Sequence, residues 1–97
     1  MYARLTLFTL GPGQREFAEG LADKLAPLFV TLKGFKSTTF MSDFDAGEYG
    51  ALSVWETKED ADAAGEVLAP RLKEAVGDRL KGPPTIKVME VYEPKPS

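Results

Sequence analysis

At least three of the four extended segments of this chain carry apolar side chains on both of their faces, yet only two helical stretches lie between them to cover those faces. Side chains alternate across a strand. In residues 2–10, Leu5 and Leu7 point one way, and Tyr2, Phe8 and Leu10 the other. In residues 48–56, Leu52 and Val54 oppose Tyr49, Ala51 and Trp55. In residues 85–93, Ile86, Val88 and Tyr92 oppose Met89 and Val91. One face of such a sheet goes under the helices, and the other needs a separate cover.

The order of the segments narrows the architecture. Residues 2–10 are rich in β-branched and aromatic types and read as a strand, stopped by Gly11-Pro12-Gly13. Phe17, Leu21, Leu25, Leu28 and Leu32 recur at helical spacing over residues 14–32. Pro27 is expected to kink that helix or to start a second short piece after Ala26, and Lys33-Gly34 to end it. Residues 35–42 and 48–56 form a hairpin about the turn Asp43–Gly47. If the turn centres near residues 45–46, Trp55 faces Lys36, Ser53 faces Thr38 and Ala51 faces Phe40.

Thr57 caps a second helix, and the acids that follow it suit the helix dipole. Its apolar stripe is Ala61, Ala64, Val67, Leu68, Leu72, Ala75, Val76 and Leu80. Pro70 interrupts it, and Gly82-Pro83-Pro84 is the expected stop. Residues 85–93 make the last strand, and residues 93–97 a loose tail. Leu25-Ala26-Pro27 and Leu68-Ala69-Pro70 echo each other, as a doubled βαβ unit would. The expectation is one α+β domain over residues 1–97, ferredoxin-like β-α-β-β-α-β, with an antiparallel sheet in the order 4-1-3-2 and both helices on one face. A second copy of the chain is the simplest cover for the bare face, giving a homodimer. Each large apolar side chain left in water would forgo about 1.5–3 kcal/mol.

Composition removes several functions. The formal net charge is −3 and no block of Lys and Arg exists, which argues against nucleic acid as a partner. The chain has no cysteine and no histidine. Disulfides, thiolate nucleophiles, the commonest general base and the commonest metal ligand are therefore out of reach. No stretch reaches the roughly 20 apolar residues of a membrane span, and Met1–Thr6 lacks the apolar run of a signal peptide. A soluble, cytoplasmic protein with no membrane partner is expected.

Lys33-Gly34-Phe35 opens the second strand, and Leu52-Ser53-Val54-Trp55-Glu56-Thr57-Lys58-Glu59-Asp60-Ala61 runs from the third strand into the second helix. With Gly82-Pro83-Pro84 before the last strand, these segments resemble the antibiotic biosynthesis monooxygenase-like proteins of the dimeric α+β barrel superfamily. The resemblance implies two sheets facing each other across a dimer axis, closing a barrel. It also implies a site between sheet and helices. Some relatives oxidise polycyclic phenols with neither metal nor organic cofactor, some act on quinols, and some degrade haem. The haem-degrading members use an Asn on strand one, a Trp at the end of strand three and a His on helix two. Trp55 matches the Trp. Arg4 stands where the Asn would be, and there is no His, so that route is disfavoured.

The candidate site combines Arg4, Thr6, Phe8, Thr38, Phe40, Tyr49, Ser53 and Trp55. Small residues leave room, aromatic rings make walls and a few polar groups orient a ligand. Arg4 would stabilise a substrate anion, Trp55 and Phe40 would form walls and Tyr49 would donate a proton. Thr6, Phe8, Thr38 and Ser53 would complete the binding surface. Each has a plainer reading: Trp55 as core, Arg4 as a rim charge, Tyr49 and Tyr92 as packing. An inward Arg4 needs an anion, either Glu90 or a ligand. Asp43-Phe44-Asp45-Ala46-Gly47-Glu48 lacks an acid at the fifth position of a calcium loop and reads as a turn. Glu59, Asp60, Asp62 and Glu66 read as a solvated helix face. The expected function is a cofactor-independent, monooxygenase-like protein that binds or oxidises a small planar hydrophobic phenol or quinol. The alternative is a non-catalytic dimeric binding or assembly module; haem binding without histidine is a third.

Overall fold

In a computed structural model that describes residues 1–96, β1 (Tyr2–Thr9) buries Arg4, Thr6 and Phe8, with Leu10 just beyond it. These alternate with half-buried Leu5 and Leu7. Ser97, the end of the expected tail, lies outside the described residues. Helix α1 (Arg15–Val30) follows, then β2 (Phe35–Asp43), β3 (Glu48–Trp55), α2 (Lys58–Val76), a single 3-10 turn at Gly77–Arg79 and β4 (Thr85–Glu90). The sheet order is β2-β3-β1-β4, wholly antiparallel. This is the ferredoxin-like topology expected from the segment order.

The hairpin register carries one correction. Ser53 does face Thr38, and Ala51 faces Phe40, but Trp55 faces Phe35 instead of Lys36. The ladder slips by one residue between Phe35 and Ser37. Such a bulge gives one strand an extra residue. Lys36 is that residue; its ammonium reaches Glu56 at 2.6 Å. The turn closes as an Asx-type turn, with Asp43 Oδ1 accepting from the Ala46 N–H at 3.1 Å. Gly47 then takes φ +71°, and its carbonyl accepts from the N–H groups of Leu10 and Gly11. A Cβ at Gly47 would run into the Gly11 backbone, so the turn locks onto the end of β1 only with glycine there.

The helices also depart from expectation. Pro27 and Pro70 lie inside continuous helices. Both are exposed, and their apolar neighbours Phe29 and Leu68 are buried in one cluster. Tertiary packing carries each helix across the single lost bond. Helix α2 is capped as expected, the Thr57 hydroxyl accepting from Asp60 N–H at 3.1 Å. It ends at Val76, ahead of Gly82, because Gly77 turns to positive φ. Leu80 therefore lies beyond the helix. β4 stops at Glu90, although the Val91 N–H still bonds the Met1 carbonyl at 2.9 Å.

Both helices pack on one face of the sheet and divide the core into two clusters. One joins Phe8, Leu10, Leu21, Tyr49 and Val76. The other joins Phe29, Trp55, Ala61, Ala64 and Leu68. Leu25 touches both. The opposite face holds Leu5, Leu7, Leu52, Val54 and Met89, with Leu52 36% and Met89 53% exposed. Among the described residues no helix is long and apolar enough to cross a membrane.

Candidate functional site

Where the two clusters meet, the helices do not close down on the sheet, and a cavity of about 560 Å³ remains. Its floor is the inner face of β1 and β3: Arg4, Thr6, Phe8, Tyr49 and Ala51. Leu21, Leu25 and Phe29 of α1 form one wall, and Leu68, Leu72 and Val76 of α2 the other. Phe40, Phe44, Leu80 and Ile86 line its margins. The size and the largely apolar lining suit a small-molecule site.

Arg4 is the polar feature of this floor. It is 7% exposed, and its Nη1 donates to Thr6 Oγ1 at 3.0 Å. Burial pushes its pKa down, and the negative charge of Asp62 works in the opposite direction. Asp62 itself is bound to Lys58 at 3.0 Å. Among the described residues no carboxylate comes within 4 Å of the guanidinium. Glu90, expected as one possible partner, is exposed and sits opposite Tyr2 instead. A buried cation with one neutral hydrogen-bond acceptor is an incomplete arrangement.

Tyr49 brings a further polar group beside Arg4 and Thr6. Its ring packs with Phe8 and Phe44, at centroid distances of 6.3 and 6.0 Å. Its hydroxyl is buried and has no hydrogen-bond partner. Phenolic hydroxyls in such positions usually find one. Among the described residues, Thr38 Oγ1 is the other buried side-chain oxygen without a partner, but Thr38 does not line the cavity.

Trp55 and Ser53 also stand outside the lining. Trp55 is 0% exposed, stacked on Phe29 at 6.2 Å and edge-on to Phe35 at 5.6 Å. The bulge at Lys36 is what brings Phe35 opposite it. Its Nε1–H donates to Ser53 Oγ at 2.8 Å, and Ser53 Oγ donates to the Arg4 carbonyl at 3.3 Å. These two side chains brace the strand that carries Arg4 and leave nothing free for a ligand. The structure thus gathers Arg4, Thr6, Phe8, Phe40 and Tyr49 around one space and leaves Thr38, Ser53 and Trp55 apart from it. Phe29 was missed in favour of Leu28, although it lies eight residues after Leu21 on the same helix face. Among the described residues there is no group of three or more acids able to hold a metal.

No family model matches the sequence, and no curated protein matches it. Solved structures do match, over nearly the full chain. A monooxygenase of Streptomyces coelicolor, solved with the ligand nanaomycin D, is 21% identical, with a TM-score of 0.73 over 99% of this chain and 92% of the other. SnoaB, a cofactor-independent oxygenase of Streptomyces nogalater, is 19% identical, with a TM-score of 0.73 over 99% and 97%. A Nitrosomonas europaea protein, provisionally assigned as an antibiotic biosynthesis monooxygenase, is 14% identical, with a TM-score of 0.79 over 98% and 93%. The chain has the fold of the antibiotic biosynthesis monooxygenase structures along its whole length.

Proposed function

We propose that the cavity binds a small planar phenol or quinol and promotes its oxidation by dioxygen without a cofactor. The observation that carries this reading is Arg4: a buried cation lining an apolar cavity, with no carboxylate beside it. A phenolate oxygen would complete it. The guanidinium would favour the anion of the substrate, which is the electron-rich form that reacts with dioxygen. The ring carbon adds dioxygen, and the peroxide formed takes a proton. It then loses water, one oxygen atom staying as a quinone carbonyl and the other leaving as water. In this reading the Tyr49 hydroxyl, which has no partner within the fold, would supply that proton; Tyr49 lining the cavity beside Arg4 supports the role. The S. coelicolor and S. nogalater oxygenases of the same fold support this chemistry.

The protein works as a homodimer in this reading. Leu5, Leu7, Leu52, Val54 and Met89 lie on the sheet face that the helices leave bare, with exposed Lys87 opposite Leu5 on the edge strand. A second copy of the sheet is a self-complementary cover.

Oxygen uptake with a panel of naphthols and hydroquinones tests the activity. Uptake is expected with at least one of them, falling tenfold or more in Arg4→Met and in Tyr49→Phe. If no panel member gives uptake above the Arg4→Met background, the monooxygenase reading is lost. If an aromatic phenol still binds, the protein is then a non-catalytic binding module. The lack of any His or Cys in the chain favours that second reading.

A further inference from the structure

Helix α2 carries a glycine in its interior, Gly65, with no turn or positive φ to account for it. Glycine is a poor choice there, because it gives up more chain entropy than alanine and offers no side chain to pack. Its surroundings give the reason. A Cβ built on Gly65 would lie 2.9 Å from Arg4 Nε, 3.2 Å from Nη2 and 3.3 Å from Cζ. The helix backbone at Gly65 is therefore the surface against which the Arg4 guanidinium lies. Gly20, the interior glycine of α1, is different: a Cβ there would meet nothing within 4 Å.

We propose that Gly65 is a positioning residue, kept free of a side chain so that the Arg4 guanidinium can occupy its place beneath α2 and present an anion-binding end to the cavity. The inference rests on the reading of the cavity as a ligand site and adds to it the geometry of its charged end. The atoms in the way of a Cβ all belong to the end of one flexible side chain, so a methyl group at residue 65 moves Arg4 and spares the backbone. The Nη1 bond to Thr6 holds the guanidinium from the other side at 3.0 Å. A displaced Arg4 loses either that bond or its alignment with the cavity.

A pure folding role and a positioning role make opposite forecasts for Gly65→Ala. The alanine raises helix propensity, which offsets part of what a displaced Arg4 loses, so the variant should stay folded with a Tm within a few degrees of wild type, while Gly20→Ala should melt no lower than wild type. Binding separates the two. The probes are 2-naphthoate and its neutral amide, 2-naphthamide, titrated calorimetrically into the full chain. Wild type and Gly20→Ala should bind 2-naphthoate at least tenfold more tightly than the amide. In Gly65→Ala that preference should fall to threefold or less, with amide affinity retained. In an Arg4→Met background, adding Gly65→Ala should change neither affinity.

An undiminished preference for naphthoate in Gly65→Ala overturns the positioning role. So does loss of both affinities together, or an effect of the alanine that persists without Arg4. If wild type binds both probes equally, Arg4 is not an anion site and the inference fails, while the cavity reading stands. If wild type binds neither, the cavity reading fails as well.

Discussion

Arg4→Met is the perturbation that most directly separates a functional from a structural arginine. Arg4 as a whole residue is 7% exposed and lines the cavity. Taking a charged group out of water costs several kcal/mol in a real protein after relaxation. What the fold returns is small. One hydrogen bond from the charged group to Thr6, at 3.0 Å, offsets about 1.5–3 kcal/mol. The attraction to Asp62 is divided with Lys58, which holds that carboxylate at 3.0 Å. Methionine has a similar reach and fills irregular apolar space without a charge. The replacement should therefore stabilise the unliganded protein by about 1 kcal/mol or more, as replacing buried ions by apolar groups often does. For a domain of this size each kcal/mol raises Tm by roughly 4–8 °C. Thermal unfolding followed by circular dichroism, at one fixed protein concentration, measures the shift. Phenol binding should fall in the same variant. A Tm lowered by more than a few degrees would show that Arg4 is paired within the fold, and the case for a ligand anion at this place would be lost.

Ser53→Ala leaves the Trp55 Nε1–H without its acceptor in a site with no water contact, and should cost about 1–3 kcal/mol in urea unfolding. Ser53→Ala combined with Trp55→Phe should cost less than the sum of the two single changes. Hydrogen bonding to Lys36 and its charge hold the Glu56 carboxyl below its ordinary range. A depressed acid stabilises the fold above its unfolded pKa and ceases to as pH falls through the folded value. An NMR titration should therefore find Glu56 protonating at more acid pH than in Lys36→Ala; equal midpoints would dismiss the pair. Leu52→Lys places a charge in the bare sheet face and should convert a dimer to a monomer in sedimentation velocity, while wild type sediments as a dimer at the same concentration. A monomeric wild type would remove the dimer from the functional reading.

Much of the fold was legible in local pattern. The two-sided strands, the helical spacing of Leu21 and Leu25, the Thr57 cap and the Asp43–Gly47 turn each depend on neighbours close in sequence. The places where expectation and structure part are those where distant contacts override a local rule. The prolines remain inside their helices because neighbouring residues are anchored in the core. Helix α2 ends at Gly77 because a glycine can turn there, although Gly82-Pro83-Pro84 is the stronger stop signal.

The candidate site shows the same division. Alternation along β1 and β3 placed Arg4, Thr6, Phe8, Tyr49, Ser53 and Trp55 on one face, and they do share it. A face is a local property, fixed by the two-residue period of a strand. Whether a residue on that face meets open space or another side chain is settled by what packs above it. The bulge at Lys36 sets Phe35 opposite Trp55, and Phe29 comes down from α1 to stack on the indole, so that end of the face is closed. A few residues away along β1 the helices stand off, and Arg4 and Thr6 line a cavity. The amino-acid pattern by itself determined the element order, the two-sided sheet and the exclusion of histidine and cysteine chemistry. Only tertiary structure decided that Trp55 is packed into the core while Arg4 lines a cavity, because that choice depends on helix–sheet separation, which no spacing within a single strand encodes.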